Sequence, residues 1–160
     1  MDDTSFDYAP RIVLGARSLA MLSAALRHVR DAEHLLSADP SVQSPDQAFH
    51  LAGFGPECAR KAALPRATFD QAIGHGVTDM SELALRFAVV TDPVARRYDI
   101  QGWSGRYPAL LRWREAARYD QTGTHLDHEV RAVVTEAREI VDRIAFALWA
   151  DGQVPAGFAW

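Results

Sequence analysis

The sequence predicts an all-α protein, an up-and-down antiparallel bundle of four main helices with short extra helices. Three observations predict it. Apolar residues recur at steps of three and four along several stretches, the spacing of one helical face. No stretch alternates apolar and polar residues for long enough to require a strand. Ser-Pro-Asp, Asp-Pro, Thr-x-x-Asp and Gly punctuate the periodic stretches where helices start and stop.

Taken in order, residues 1–10 read as a loosely ordered start, with Phe6 and Tyr8 as anchors. A long helix is expected from about Gly15 to Ala38, where Leu19, Leu22, Leu26, Val29 and Leu36 form a stripe. Asp39-Pro40 and Ser41 to Ser44 turn the chain into the second helix, and so short a connection makes the two antiparallel neighbours. Ser44 is a cap, Pro45 fits the first helical position and Asp46 suits the positive helix end. Ala48, Ala52, Gly53, Gly55, Ala59, Ala62 and Ala63 leave room for a neighbouring backbone, and Phe49, Leu51, Phe54 and Leu64 fill volume. Pro56 removes a backbone donor and is expected to kink the helix near Ala52 or Gly53. Glu57 and Lys61, four apart, form a structural helical pair.

Beyond Pro65 a short helix over 68–75 and a longer one over 79–89 are expected, with a restart at Asp92-Pro93. Residues 98–107 read as a loop and residues 107–119 as a helix through Leu110, Leu111, Trp113 and Ala116. The last helix has the longest stripe: Val130, Val133, Val134, Ala137, Ile140, Val141, Ile144, Leu148 and Trp149, closed by Gly152. Thr124 with Asp127 makes a Thr-x-x-Asp cap that places His125 and His128 in its first turn. Residues 153–160 read as a loose apolar tail, with Phe158 and Trp160 able to fold back or to anchor in a partner subunit.

A chain of 160 residues is most simply one domain, 1–160. Its net charge of −4 gives no global attraction to nucleic acid. Cys58 is the sole cysteine, which excludes an intrachain disulfide and fits a reducing compartment. No run is long and apolar enough for a bilayer span, and the acidic start lacks the pattern of a secretion signal, so a cytoplasmic setting without membrane contact is expected. No cofactor is called for. His125, Asp127 and His128 offer metal-ligand types, but no second cluster completes a coordination sphere, and no metal is expected.

His50-Leu51-Ala52-Gly53-Phe54, followed by Glu57-Cys58-Ala59-Arg60-Lys61-Ala62, resembles the second-helix signature of the HEPN domains, small all-helical modules of prokaryotes and higher eukaryotes. Ribonucleases of that family carry an Arg, a spacer of four to six residues and a His near the start of the last helix; here Arg118 and His125 enclose a spacer of six. The resemblance implies a homodimeric, metal-independent endoribonuclease of toxin or defence type, with an antitoxin or nucleotidyltransferase as partner. The chemistry suits the residues. A guanidinium grips phosphate through paired donors, and an imidazole exchanges a proton near neutral pH. A base can then remove the 2′-hydroxyl proton while a cation stabilises the charged phosphorane. The alternative is a catalytically inactive HEPN module that binds nucleotide, RNA or a nucleotidyltransferase.

Arg118 equally suits an ion pair with Glu115 or Asp120. Arg112, Arg114, Tyr119 and His128 are the candidate RNA-binding residues, because a basic segment with interleaved aromatics can track a single strand. The competing reading makes Trp103 and Trp113 core residues and the arginines a solvated face.

Overall fold

The structure, a computed structural model, describes residues 13–37, 39–64, 86, 90, 97–98 and 101–160. The fold is all-α. The elements are α1 (Ala16–Ser37), α2 (Pro45–Ala63), a one-turn α3 (Trp103–Arg106), two 3-10 turns, η1 (Leu110–Arg112) and η2 (Glu115–Tyr119), and α4 (Asp127–Ala150). Among the described residues there is no strand. The helices expected over 68–75 and 79–89 and the restart at 92–93 lie outside the described residues, except that Arg86 is helical.

The three long helices pack on one another through the expected stripes. Leu22, Leu26, Val29 and Leu36 of α1 are buried, as are Phe49, Ala52, Ala59 and Ala62 of α2 and Val130 through Leu148 on one face of α4. The sense of packing follows from the contacts. Ser44 N–H reaches the Leu35 carbonyl, Phe54 meets His28, and Gly55 lies against Val29, so α2 runs back along α1. Arg131 donates to the Leu36 carbonyl and Arg138 holds Glu33 through two bonds of 2.8 and 2.5 Å, so α4 also runs opposite to α1. The small-residue stripe has a purpose. Trp113, buried and donating from Nε1 to the His50 carbonyl at 3.0 Å, lays its indole on Gly53, where no side chain fits. Gly55 accepts Val29 in the same way. Glu57 and Lys61 pair at 2.5 Å, and Arg60, also buried, stacks its guanidinium 3.4 Å from the Trp103 ring.

Several local expectations are corrected. Residues 107–119 are not one helix. Trp113 and Arg114 are extended and separate η1 from η2, because the Trp113 indole is drawn into α2. Residues 98–107 are not all loop, since α3 forms there and buries Trp103. Thr124 does not cap the last helix. Its hydroxyl donates to the Gln121 carbonyl at 2.6 Å, and α4 begins after Leu126 without a side-chain cap. Ser44 likewise precedes α2 without a side-chain capping bond. Trp149 points out, 55% exposed. Residues 153–160 fold back. Val154 is buried, Phe158 packs on the core, and the Trp160 carbonyl accepts from Arg30 at 2.9 Å.

Candidate functional site

Between η2 and α4 the chain crosses residues 120–126 without helix, and this loop carries the candidate site. Gly123 has φ +86°, in the left-handed region that glycine enters without strain. The loop is tied to the start of α2 by one side chain. Asp46 accepts the Gly123 N–H at 2.7 Å on one oxygen and the His125 N–H at 3.0 Å on the other. Asp46 stands in the first turn of α2, where the helix dipole favours a carboxylate.

His125 therefore precedes α4 rather than sitting in its first turn. Its ring lies flat on Phe49, with centroids 3.9 Å apart and planes 14° from parallel. Its Nε2 is 3.1 Å from Asp120 Oδ2, and the side chain is 17% exposed. The ring makes no other hydrogen bond among the described residues. Asp120 also takes Arg114 at 2.5 Å. Burial alone raises the Asp120 carboxyl pKa, but the hydrogen bonds and charges of Arg114 and His125 outweigh it and hold the group below its usual range.

Arg118 lies elsewhere in this network. It pairs with Glu115 at 2.9 Å, remains 42% exposed and sits 5.0 Å from the Tyr119 ring, which is itself 77% exposed. No hydrogen bond or ion pair joins Arg118 to His125. Its charge is felt instead by His50, whose pKa is lowered first by burial and then by Arg118, with Glu115 opposing. Arg112 holds Glu129 at 2.5 Å, and that hydrogen bond lowers the Glu129 carboxyl pKa. His128 is exposed in the first turn of α4. The arginine linked to His125 through a shared carboxylate is thus Arg114, not Arg118.

No family model, curated protein or solved structure matches the chain.

Trp103 and Trp113 are core side chains and present no stacking face to a ligand. Glu57 and Lys61 pair with each other four residues apart on α2. Burial pushes the Cys58 thiol up to about 11, which leaves it protonated and a poor nucleophile at neutral pH. Among the described residues no group of three or more His, Cys, Asp or Glu side chains could hold a metal ion, and no helix is long and apolar enough to cross a membrane.

Sequence reasoning missed Asp46, Phe49 and Asp120 as members of the site. Asp46 lies 79 residues from His125 and carried only its helix-start signal. Asp120, five residues before His125, was the one legible from proximity.

Proposed function

We propose that the chain is a HEPN-like endoribonuclease that cleaves RNA without a metal, with His125 as the general base and Arg118 as a phosphate ligand. One observation carries the reading: the His125 imidazole is fixed flat by Phe49 and at one edge by Asp120, and its Nδ1 makes no hydrogen bond among the described residues. A ring held in one orientation with one basic atom unengaged is what removal of a 2′-hydroxyl proton requires. Arg118 supplies guanidinium donors nearby in sequence. Its part-exposed pair with Glu115 is worth about 0–1 kcal/mol, so a phosphodiester can displace Glu115 from Arg118. On this reading Arg112, Tyr119 and His128 extend the RNA track. The module works as a cytoplasmic homodimer in a toxin–antitoxin or defence role, with an antitoxin or nucleotidyltransferase as partner.

The test is incubation of the purified protein with RNA in chelator. Cleavage leaving cyclic phosphate ends, abolished by Arg118→Ala and by His125→Ala, is the expected result. Equal cleavage by the wild type and both variants removes the site assignment.

A second reading, a non-catalytic module that binds RNA, nucleotide or a nucleotidyltransferase, is favoured by a separate observation. Arg112, Arg114 and Arg118 each already hold a carboxylate, from Glu129, Asp120 and Glu115. That leaves the segment with little net positive charge. RNA binding without cleavage is the result that selects it.

A further inference from the structure

We infer that Asp120 is a positioning residue that keeps His125 in the tautomer with hydrogen on Nε2, and so makes Nδ1 the atom that receives the substrate proton. The catalytic consequence rests on the ribonuclease reading; the ring's state does not.

The argument is one of donors and acceptors. Asp120 Oδ2 stands 3.1 Å from Nε2, and Oδ1 of the same carboxylate accepts from Arg114 at 2.5 Å. Arg114 can only donate. A carboxylate beside a permanent cation stays ionised and can only accept. Nε2 must therefore carry hydrogen, and in the neutral ring the lone pair falls to Nδ1. Phe49 beneath the ring fixes the imidazole plane, 14° from its own, and the Asp120 contact selects which edge of that plane carries Nε2. Asp46 opposes rotation of the segment as a whole by anchoring the His125 backbone N–H. The ring is thus fixed by groups from two elements, η2's end and α2's first turns.

In the transesterification the 2′-hydroxyl proton passes to Nδ1 as the 2′-oxygen forms its bond to phosphorus. The bond from phosphorus to the 5′-oxygen breaks, that oxygen takes a proton from water, and the protonated His125 ring gives its proton to the hydroxide left behind, which restores the neutral imidazole. A His125 ring with hydrogen on Nδ1 offers no lone pair on that side and cannot begin the sequence. Asp120 touches no reacting atom in this scheme; it acts through His125.

The experiment is nitrogen-15 NMR of histidine side chains in the full-length chain at a pH where His125 is neutral, on wild type, Asp120→Asn and Arg114→Met. The expected wild-type spectrum shows His125 with hydrogen on Nε2. In Asp120→Asn, whose amide can donate to the ring, a substantial share moves to Nδ1, while Arg114→Met keeps the wild-type state. With RNA, Asp120→Asn lowers kcat by on the order of 10²-fold with KM unchanged, the scale for loss of a group that orients a working imidazole. Hydrogen on Nδ1 in the wild type overturns the inference outright, and so does an unchanged ring state in Asp120→Asn. If Asp120→Asn fails to fold, the wild-type spectrum alone decides. A wild type that keeps hydrogen on Nε2 yet cleaves no RNA overturns the ribonuclease reading and leaves the role of Asp120 standing.

Discussion

Gly53→Ala should destabilise the protein although alanine is the better helix former. A Cβ at residue 53 would stand 2.0 Å from Trp113 Cδ2, 2.2 Å from Cε2 and 2.4 Å from Cγ. These are the rigid inner atoms of a buried indole, not the end of a flexible chain, so the whole ring must retreat by about 1 Å to reach tolerable contact. Overpacking of that kind costs about 1–3 kcal/mol. Retreat also stretches the bond from Trp113 Nε1 to the His50 carbonyl, now 3.0 Å, for about 1 kcal/mol more. The gain from replacing a helical glycine returns about 0.5–1 kcal/mol. The net is a loss of about 2 kcal/mol, or roughly 4–8 °C in Tm for a domain of this size. Urea and thermal unfolding followed by tryptophan fluorescence measure it. Gly105→Ala is the control, because nothing lies within 4 Å of its Cβ position and its φ is not positive; it should be neutral or slightly stabilising. A Gly53→Ala protein within about 0.5 kcal/mol of wild type would refute the seating of Trp113 on α2. The placement of the segment that leads into the candidate site would then fall with it.

Three further outcomes are expected. Stability should fall on acidification through the histidine range: burial, with the Arg27 charge at His28 and the Arg118 charge at His50, lowers both pKa values below 6.5. The unfolded chain therefore binds more protons than the native one from 6.5 downward, and this contribution is complete only above 6.5. The urea midpoint should be lower about one unit below that value than about one unit above it, and a His28→Asn, His50→Asn protein should lose the difference; equal midpoints in the wild type would contradict the shifts. Asp46→Asn, which puts an amide donor in front of two backbone donors, should cost about 1–2 kcal/mol and speed hydrogen exchange at Gly123 and His125, whereas unchanged exchange there would mean that Asp46 does not hold the loop. Glu115→Gln should release Arg118 and raise affinity for single-stranded RNA by up to about fivefold, the limit set by an exposed pair, with the gain shrinking at high salt; no gain in a filter-binding titration would argue against Arg118 as a phosphate ligand.

What could be read from the sequence was whatever periodicity or chain proximity encodes. The stripes of α1 and α4 gave long helices because each apolar position recurs on one face, and most stripe side chains are buried there; Trp149, at the end of the α4 stripe, is exposed. The glycines of α2 marked a close approach, but not by which group. That Trp113 fills the space at Gly53 is a contact between residues 60 apart, and the same contact breaks the helix expected over 107–119. The Thr124 cap failed for a local reason: its hydroxyl is satisfied three residues back by Gln121, an alternative open to any threonine in a turn. Arg118 and His125 were singled out by the family resemblance and its Arg–spacer–His pattern. The Asp46 tether and the Phe49 stack were not, since nothing in chain order links them to residue 125.

The electrostatics of the site limit how it could use RNA. The three arginines around η1 and η2 face three carboxylates, so the surface offers exchangeable partners rather than unpaired charge. A phosphodiester gains little by approaching it and gains more by displacing a carboxylate from its guanidinium. The three pairs are not equivalent in this respect. Glu115 is 33% exposed and Glu129 32%, so either can turn to water when a phosphate takes its arginine. Asp120 is 13% exposed and shared with His125; to give up Arg114 it must leave a carboxylate half-buried beside an imidazole, with its main cation gone. Arg118 and Arg112 are therefore the arginines free to change partner, and Arg114 is the one committed to holding Asp120. This separates the roles by cost. On the ribonuclease reading, the pair nearest His125 serves geometry, and the phosphate contacts proposed here fall to Arg118 and Arg112, whose carboxylates can return to solvent.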